Sequence, residues 1–591
     1  MKSFFSLFLF LCGCCHISGQ SLLIETELFQ YKGGWLVETQ FIDQMGSPYL
    51  LAHGLGKPVE DAVTNVTFPQ TGTFHFWVRT KDWAPFPKGP GKFQVLLDGK
   101  IIGTFGSSGV SGWQWYQGGS ITVSKPEVEI RLKDLTGFDG RCDAIFFSKS
   151  ENVALPVNIP SMEAFRKKHL NLKMHDEGVY DLTVVGGGVA GICVAVQAAR
   201  LGLKVALINN RPVLGGNSSS EIKIPMDGDV FRNKYPALGR IVREIDNHYI
   251  ELDNKMDVWR KKVVLNETNI SLFENMHVNK VIKTGNAIQS IIAVNSGNLE
   301  EHSFTSYLFA DCTGDANLGI LAGADHRYGR ESRSETGEKD APEVADKLVM
   351  GTSNQWSAIR HDTTGQFPIE EWMLQFSDDY HFDLLHSVWD WESGFGNLHS
   401  VNQAEDIRDH NFRAIYGNWA YLKTYKPGKF GYYQLGYLSH VAGKRESYRL
   451  MGDIILTQED IVQKIEYPDA MVTTTWGIDI HYPDKANSSV FPHEEFIAYA
   501  VHPLKQQDIY TFPYRCLYSR NINNLFMAGR NISVTHLALG AVRVQHCTGM
   551  MGEVVGMAAY VCKKFHIMPA QVYSEYLDDL RALLSTNVPL K

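Results

Sequence analysis

The sequence predicts an all-β module followed by an α/β domain with a Rossmann-like parallel sheet and a nested substrate subdomain. Three observations predict this architecture. Short apolar stretches separated by Gly, Pro and Asp turns fill residues 21 to about 150, as in a β-sandwich. From residue 180 the chain runs through a strand, a glycine-rich turn, a helix and a strand. Between about 330 and 510 the pattern is irregular and aromatic, which suits an inserted subdomain.

Length and charge narrow the class of protein. With 591 residues the chain exceeds the size of a single core, so at least two domains are expected. A formal net charge of -9, with 20% charged residues, gives neither the basic surplus of a nucleic-acid binder nor the composition of a disordered chain. We therefore expect a globular protein with no nucleic-acid partner.

The first residues have the layout of a secretory signal peptide. Lys2 precedes an apolar run that ends in small residues and is too short to span a membrane. Cleavage after Gly19 would make residues 1–19 the leader. The stretch that ends at Cys14 also resembles a bacterial lipobox. We predict export to the periplasm or the extracellular space. Of the two kinds of leader, we favour a plain signal peptide over one that leads to lipidation. A lipid anchor at Cys14 is the alternative, and no transmembrane span is expected in the mature chain.

The cysteines outside the leader indicate no metal centre. They form no CxxC pair, and their spacings suit neither a zinc site nor an iron–sulfur cluster. These residues are Cys142, Cys193, Cys312, Cys516, Cys547 and Cys562.

The first module, residues 20–151, is rich in aromatic side chains, which either fill its core or stack on the apolar faces of sugar rings. For a single Trp the core is favoured. In the stretch WQWY, residues 113–116, neighbouring strand residues face opposite sides, so at least one ring must leave the core. We interpret the module as a β-sandwich that is carbohydrate-binding-like.

Residues 182–208 carry a dinucleotide-binding fingerprint. A buried strand is followed by Gly186-x-Gly188-x-x-Gly191, a helix rich in Ala and Val, and a second strand. The first glycine allows a tight turn, the second lets the backbone approach a pyrophosphate, and the third lets helix and strand pack closely. The helix N-terminus then faces the phosphates with the positive end of its dipole. Because all the parts occur in order, we predict a dinucleotide site.

The residue that contacts the ribose departs from the usual pattern. An acidic residue is expected about 20 positions after the glycines, but the chain has Asn209 and Asn210 there. An amide oxygen also accepts a hydrogen bond from a hydroxyl. We therefore assign this contact to Asn209.

Five ordered motifs over about 400 residues carry a resemblance to a known family. They are GGGVAG, LGGNSSSE, DCTGDANLGILAGA, GKRESYRLMGDIILTQEDI and AGRNISVTHLALGAVRVQ. Together they resemble the FAD-dependent oxidoreductases of secreted bacterial proteins, in the glutathione-reductase structural class. The first module is similar to the sandwich that precedes the flavin domain in members from polysaccharide-degrading gut bacteria.

The resemblance implies FAD as the cofactor. It also implies a set of contacts to FAD, with Val278 on the strand beside adenine: Gly186, Gly188, Gly191, Asn209, Gly215, Gly216, Asn217, Val278, Thr313, Gly314, Asp315, Gly529 and Arg530. A helix of small residues from about Gly549 is expected to point its N-terminus at the flavin edge or the pyrophosphate.

The domain division follows from these motifs. Residues 152–179, punctuated by proline and then charged, suit a linker. The FAD-binding domain is predicted in two parts, residues 180–330 and 511–591. Residues 331–510 between them are predicted to form the substrate-binding subdomain.

The candidates for catalysis are histidines and arginines. His536 ranks first as a general base because it follows the flavin strand closely, and His481 ranks second. Arg445, Arg449 and Arg543 offer positive charge to an oxyanion, a carboxylate or the reduced flavin. For Arg445 and Arg449 a salt-bridge face on a helix is the structural alternative.

The predicted function is oxidation of a hydroxyl on a carbohydrate or glycoside by hydride transfer to FAD. The electron acceptor is unknown, and the partner is a small-molecule or glycan substrate. A redox-neutral cleavage or elimination that depends on FAD is the first alternative. A non-catalytic glycan-binding surface protein with a structural flavin is the second.

Overall fold

The computed structural model describes residues 20–84, 86, 89–505 and 509–586. The chain divides into two compact units, Met1–Met174 with Gly297–Glu301, and His175–Ser296 with His302–Lys591. The predicted leader, including Cys14, lies outside the described residues. Within those residues, no helix combines the length and the apolar character needed to cross a bilayer.

The first unit is built from antiparallel sheets. Its strands are β1 Ser21–Glu25, β2 Leu36–Glu38, β3 Tyr49–Ala52, β4 Ala62–Thr67, β5 Gly72–Asp82, β6 Phe93–Leu97, β7 Lys100–Phe105, β8 Gly112–Val123, β9 Glu127–Asp134, β10 Gly140–Cys142 and β11 Ala144–Ser148. Its helices are α1 Ile42–Met45 and α2 Ile159–His169. The strand orders are β1-β11-β5-β8, β4-β9-β6-β7 and β10-β3-β2. Alternate residues of both four-stranded sheets, such as Phe76 and Ile130, are buried in one core.

The aromatic residues of this unit mostly face protein. The tryptophans buried as the core interpretation predicts are Trp35, Trp77 and Trp83. On β8, Tyr116 packs against the core, whereas Trp113 and Trp115 are partly exposed. The Trp115 ring centroid lies 6.3 Å from that of Phe165 on α2, and the Trp113 centroid lies 4.7 Å from that of Tyr49. These two rings leave the core as predicted, and each also packs against another ring of this unit.

Part of the predicted linker is helical, which corrects the expectation for residues 152–179. Asn158 caps α2 by accepting a hydrogen bond from the Ser161 amide, and Pro160 lies in its first turn. Proline is favoured there because the first amides of a helix need no partner within it. The proline that suggested a linker therefore marks a helix start.

Helix α2 brings a guanidinium to a group of buried carboxylates. Arg166 Nε lies 3.0 Å from Glu25 Oε1, and its Nη2 lies 3.1 Å from Asp143 Oδ1. Asp143 also pairs with Arg79 at 2.6 Å. Glu25, Glu27 and Asp143 each place one oxygen within 4.8 Å of the others. Burial raises the pKa of Glu25 to about 7, although the charge of Arg166 acts in the opposite direction.

We expect Arg166→Ala to destabilise the first unit by about 3 kcal/mol, because removing one partner of a buried pair leaves charge uncompensated. Urea denaturation of the full chain measures the effect. The control is Lys167→Ala on the same helix, whose ammonium pairs with Glu163 at the surface and which should cost less than about 1 kcal/mol. Equal effects of the two substitutions would contradict the prediction.

The second unit carries the remaining elements. Its strands are β12 Met174–Val185, β13 Val205–Ile208, β14 Ile270–Phe273, β15 Met276–Thr284, β16 Ala287–Asn295, β17 Glu301–Asp311, β18 His326–Arg327, β19 Thr352–Ser353, β20 Trp356–Arg360, β21 Tyr433–Leu438, β22 Gly443–Lys444, β23 Arg449–Leu450, β24 Ala470–Thr474, β25 Ile478–Pro483, β26 Ala498–Leu504, β27 Tyr510–Pro513 and β28 Leu525–Met527.

Its helices are α3 Val189–Arg200, α4 Arg240–Ile245, α5 Asn254–Leu265, α6 Asn317–Ala322, α7 Arg333–Thr336, α8 Ala404–Tyr425, α9 Pro427–Phe430, α10 Gln458–Val462, α11 Lys485–Val490, α12 His536–Val542, α13 Gln545–Phe565, α14 Pro569–Glu575 and α15 Leu577–Ser585. The main sheet has the order β14-β13-β12-β17-β16-β15, and β28 pairs with β17. Strands β12, β13 and β14 are parallel, as are β17 and β28. The fingerprint therefore lies in a Rossmann-type parallel sheet.

Helix α13 packs on α3 through its small residues. It begins at Gln545, four residues before the predicted start at about Gly549. A Cβ at Gly552 would lie 2.3 Å from the carbonyl oxygen of Ala190. The glycines that suggested a cofactor contact for this helix instead allow close helix packing.

Residues 331–510 do not separate as a compact unit of their own. Their small two-stranded sheets share a core with the main sheet, because Met471 on β24 and Ile480 on β25 pack in the same cluster as Val194 on α3. Helix α12 also packs against β25, where a Cβ at Gly540 would lie 2.8 Å from the Asp479 amide nitrogen. This packing places β25 beside the predicted base His536.

Candidate cofactor and active site

The glycine-rich turn between β12 and α3 has two structural glycines and one that leaves open space. Gly186 has φ +107°, and a Cβ there would lie 2.3 Å from the Cys312 carbonyl oxygen. A Cβ at Gly191 would lie 1.8 Å from the Gly186 carbonyl oxygen. At Gly188, the N-cap of α3, the nearest atom to an added Cβ is Gly216 Cα at 3.9 Å. The open space is where the fingerprint predicts a pyrophosphate.

The double glycine lies directly against this turn. Gly215 donates a hydrogen bond from its amide to the Gly187 carbonyl oxygen at 2.9 Å. Both Gly215 and Gly216 have positive φ, +116° and +59°, a conformation that favours glycine. Asn217 donates from Nδ2 to the Lys444 carbonyl oxygen at 3.0 Å. The two glycine motifs, separated in sequence, therefore form one loop cluster.

Asn209 holds this cluster together, and its contact with the ribose stays a prediction. Its Nδ2 donates to the carbonyl oxygens of Arg211 and Val213 at 3.0 and 2.8 Å. Its Oδ1 accepts a hydrogen bond from the Gly187 amide at 3.1 Å. The side chain is buried, and its amide group forms hydrogen bonds with three backbone groups. An aspartate could not donate the first two of these bonds.

The turn after β17 meets the strand end after β28. Asp315 lies 2.7 Å from Lys444 Nζ and 2.8 Å from Arg530 Nη2. Burial opposes its ionisation, but the charges of Lys444 and Arg530 hold the pKa of Asp315 well below its usual range. A Cβ at Gly314 would lie 2.2 Å from Arg530 Nη1. Gly529 has φ +125°, so the backbone also needs glycine there.

Two further predicted contacts take part in the local structure. The Thr313 hydroxyl donates to Asp311 Oδ1 at 2.8 Å and so stabilises the turn. Val278 is buried on β15, and its carbonyl oxygen accepts a hydrogen bond from Asn317 Nδ2 at 3.2 Å. The contact of Val278 with adenine stays a prediction.

The cluster fits a dinucleotide such as FAD. Gly188 leaves room at the N-terminus of the twelve-residue helix α3, and amides at a helix start bind phosphate. Within the described residues, the buried Nε of Arg530 has no hydrogen-bond partner. The backbone around Gly188 and Gly216 would hold the pyrophosphate.

Residues 443–449, which we call the connecting segment, join this cluster to the predicted catalytic residues. On the cofactor side, Lys444 pairs with Asp315, and the Ser447 hydroxyl donates to the Gly314 carbonyl oxygen at 3.1 Å. On the other side, Glu446 contacts His536, and Arg445 contacts Glu392, the partner of His481. The segment contains short strands and no helix. The alternative prediction, in which Arg445 and Arg449 form salt bridges on one face of a helix, is therefore wrong.

The first group is built around His536. Its Nδ1 lies 2.9 Å from Glu446 Oε2, and its Nε2 is buried with no hydrogen-bond partner among the described residues. Glu446 also accepts hydrogen bonds from the Met350 amide and from Arg449. Since Glu446 is held as an acceptor, the Nδ1 of His536 carries the proton and Nε2 is left as the basic nitrogen.

Arg449 has a structural role, which corrects its assignment to an oxyanion. Its guanidinium is buried and donates to Glu446, to Glu331 at 2.8 Å, and to the carbonyl oxygens of Gly329 and Val534. These bonds occupy the donors that an oxyanion would need.

The second group is built around His481. Its Nδ1 lies 2.5 Å from Glu392 Oε1, and Arg445 Nη1 lies 3.2 Å from the same oxygen. Arg543 Nη2 donates to Asp479 Oδ2 at 2.8 Å, and the buried Arg543 Nε has no partner among the described residues. Burial opposes ionisation of Asp479, but the bond to His481 and the charge of Arg543 lower its pKa to about 2.

All four predicted catalytic residues therefore lie on or against α12, β25 and the connecting segment. His536 begins α12, Arg543 follows its last residue, and His481 lies on β25. Their carboxylate partners were not predicted from the sequence. Glu446 lies within the motif GKRESYRLMGDIILTQEDI, which gave a signal for it, whereas Glu392 lies in no motif.

A family model matches the part of the chain that carries the cofactor motifs. Residues 181–584 match the family model described as FAD dependent oxidoreductase. Aerobic glycerol-3-phosphate dehydrogenase of Staphylococcus aureus is 31% identical over 68 residues, which span 12% of this chain and 12% of that protein.

Three solved structures are similar in part. A geranylgeranyl bacteriochlorophyll reductase-like protein of Thermoplasma acidophilum has a TM-score of 0.30 and 12% identity, over 69% of this chain and 82% of that one. A myxobacterial chondrochloren halogenase has a TM-score of 0.29 and 10% identity, over 68% of this chain and 79% of that one. A family 35 carbohydrate binding module of Clostridium thermocellum has a TM-score of 0.19 and 17% identity, over 22% of this chain and 96% of that one.

Proposed function

The chain belongs to the FAD dependent oxidoreductase family, and we propose that it oxidises a hydroxyl group of a carbohydrate or glycoside. It is an FAD-dependent enzyme, and FAD supplies the hydride acceptor when bound. This membership argues against a non-catalytic glycan-binding protein. The protein's own task is to bind the substrate and to remove the hydroxyl proton.

One observation carries the proposal. The Nε2 of His536 is buried and without a hydrogen-bond partner among the described residues, while Glu446 fixes the opposite ring nitrogen. A base needs a free nitrogen lone pair and a defined tautomer, and this pair provides both. The base also lies next to the connecting segment, whose Lys444 and Ser447 contact the cofactor loops. In our mechanism, Nε2 takes the hydroxyl proton and Glu446 stabilises the imidazolium that forms.

The polyhydroxylated substrate class is supported by the groups around His481. Arg445, Arg543, Glu392 and Asp479 place donors and acceptors close together. Several hydroxyl groups on one ring need such a mixed set of partners.

We also propose that the first unit is a β-sandwich that binds glycan. The core shared by its two antiparallel sheets supports the sandwich, and the partly exposed rings of Trp113 and Trp115 support glycan binding. Affinity electrophoresis of the full chain in polysaccharide gels tests it, and unretarded migration in every gel would count against it.

We further propose that the protein is exported to the periplasm or the extracellular space. The support is the leader-like sequence of residues 1–19. Mass spectrometry of the mature N-terminus separates cleavage after Gly19 from lipidation at Cys14. An uncleaved Met1 would overturn the export proposal.

The enzyme is expected to lose its flavin absorbance near 450 nm, an approximate value for the cofactor, when a substrate glycoside is added without oxygen. The measurement is an anaerobic absorbance scan of the holoenzyme against glycosides, polyols and amino acids. The His536→Ala variant, loaded with equal flavin, is the control and should not bleach. Bleaching by amino acids alone would refute a carbohydrate substrate.

A redox-neutral cleavage is the second candidate, and the second histidine–carboxylate pair favours it. His481 with Glu392 supplies another proton-transfer group besides His536, which a cleavage beside a ketone needs. In this case the glycoside is consumed in excess over enzyme with no electron acceptor present. Strict dependence of turnover on an added acceptor would exclude it.

A further inference from the structure

An exposed tryptophan lies beside the second histidine group. The Trp389 side chain is 54% exposed, whereas Trp391 and Glu392 two and three residues later are buried. Single exposed apolar side chains are common on protein surfaces. Trp389 differs in its position, because its exposed ring lies next to the hydrogen-bond donors and acceptors around His481.

The ring lies next to residues of the candidate site. The Trp389 carbonyl oxygen accepts a hydrogen bond from Arg445 Nη2 at 3.0 Å. Its ring centroid lies 5.2 Å from that of His481, with an angle of 64° between the planes. His481 is itself paired with Glu392, so the indole has an ordered aromatic neighbour on one side.

The neighbouring charges balance each other. Arg445 pairs with Glu392, and Arg543 pairs with Asp479. The charges cancel within these two pairs, and burial raises the pKa of the neighbouring Asp390, which disfavours a further negative charge. The paired side chains still present hydrogen-bond donors and acceptors next to an apolar face. A flat sugar ring has the matching surface, because its C–H face is apolar and its edge carries hydroxyls.

We propose that Trp389 is the stacking platform for an uncharged pyranose ring and thereby determines substrate specificity. The proposal rests on the function proposed above and names its substrate class as pyranosides rather than acyclic polyols. An acyclic polyol offers no rigid C–H face, so it gains less from an indole. The indole binds substrate and takes no part in proton transfer, so its loss should affect KM more than kcat.

The experiment compares Trp389→Ala and Trp389→Phe with the wild-type holoenzyme. The probes are methyl β-D-glucopyranoside, methyl β-D-galactopyranoside, methyl β-D-xylopyranoside and sorbitol, with an artificial electron acceptor in excess. Tyr249→Ala is the matched control, because Tyr249 is 99% exposed and no contact joins it to this site in the described residues. Equal flavin content in all variants shows that each is folded and loaded.

We expect Trp389→Ala to raise KM for the oxidised pyranoside at least about 10-fold with kcat within about 3-fold. Trp389→Phe should stay within about 3-fold in KM, because a ring remains. A KM for Trp389→Ala close to wild type would overturn the platform while leaving sugar oxidation intact. A loss of kcat at constant KM would also overturn it. If the wild type oxidises no pyranoside, the proposed function fails and this proposal fails with it.

Discussion

Replacing His536 with alanine is expected to lower kcat by about 10²- to 10⁴-fold, which is the usual contribution of a positioned general base. The buried Nε2 is the free nitrogen of a ring whose other nitrogen is bound by Glu446. Alanine removes the proton acceptor but leaves the glycine loops that hold FAD unchanged. Steady-state kinetics with an oxidised glycoside, at matched flavin content, measures the effect.

His546→Ala is the matched control for this experiment. His546 is also a buried histidine paired with a carboxylate, since its Nε2 lies 2.7 Å from Asp246 Oδ2. Its Nδ1 is occupied as well, by the Gly228 carbonyl oxygen at 3.0 Å. With no free nitrogen it cannot accept a substrate proton, so its loss should leave kcat within about 3-fold. A kcat for His536→Ala within the same range would remove His536 from the mechanism.

Replacing Gly188 with valine is expected to abolish FAD binding, with an affinity at least about 100-fold lower, or about 2.8 kcal/mol. An added Cβ meets no atom of the described chain closer than 3.9 Å, and φ at Gly188 is -70°, which any residue adopts. An added Cβ therefore fits the fold, and the methyl groups of valine extend into the space that the pyrophosphate needs. Titration of the apoprotein with FAD, followed by flavin fluorescence, measures the affinity.

Two other glycines separate cofactor loss from misfolding. Gly428→Ala places a methyl group in open space away from the glycine loops and should change neither FAD affinity nor stability. Gly191→Ala forces a Cβ to 1.8 Å from the Gly186 carbonyl oxygen, so it should lower stability itself. A Gly188→Val protein that retains flavin would show that the pyrophosphate binds elsewhere.

The glycine turn could be predicted because its backbone requirements are visible in the residue types. Gly186 and Gly191 are glycines for reasons of φ and close packing that any Rossmann-type turn imposes. Asn209 could not be interpreted in this way. Its three partners are backbone groups of two different loops, and only the folded chain shows that they converge.

The carboxylates of the candidate site were missed for a similar reason. Glu446 is 90 residues from His536 in sequence, and Glu392 is 89 residues from His481. Pairings over such distances depend on how β25, α12 and the connecting segment pack. A single sequence carries no signal for that packing, whereas it does carry the preference for histidine as a base.

The connecting segment joins the cofactor loops to the base through one short stretch of chain. Lys444 and Ser447 hold the loop at Asp315 on one side, while Glu446 holds His536 on the other. By thermodynamic linkage, FAD at 100 times its Kd stabilises the conformation it binds by about 2.7 kcal/mol. We therefore expect flavin binding to stabilise this segment and, through Glu446, the orientation of the imidazole.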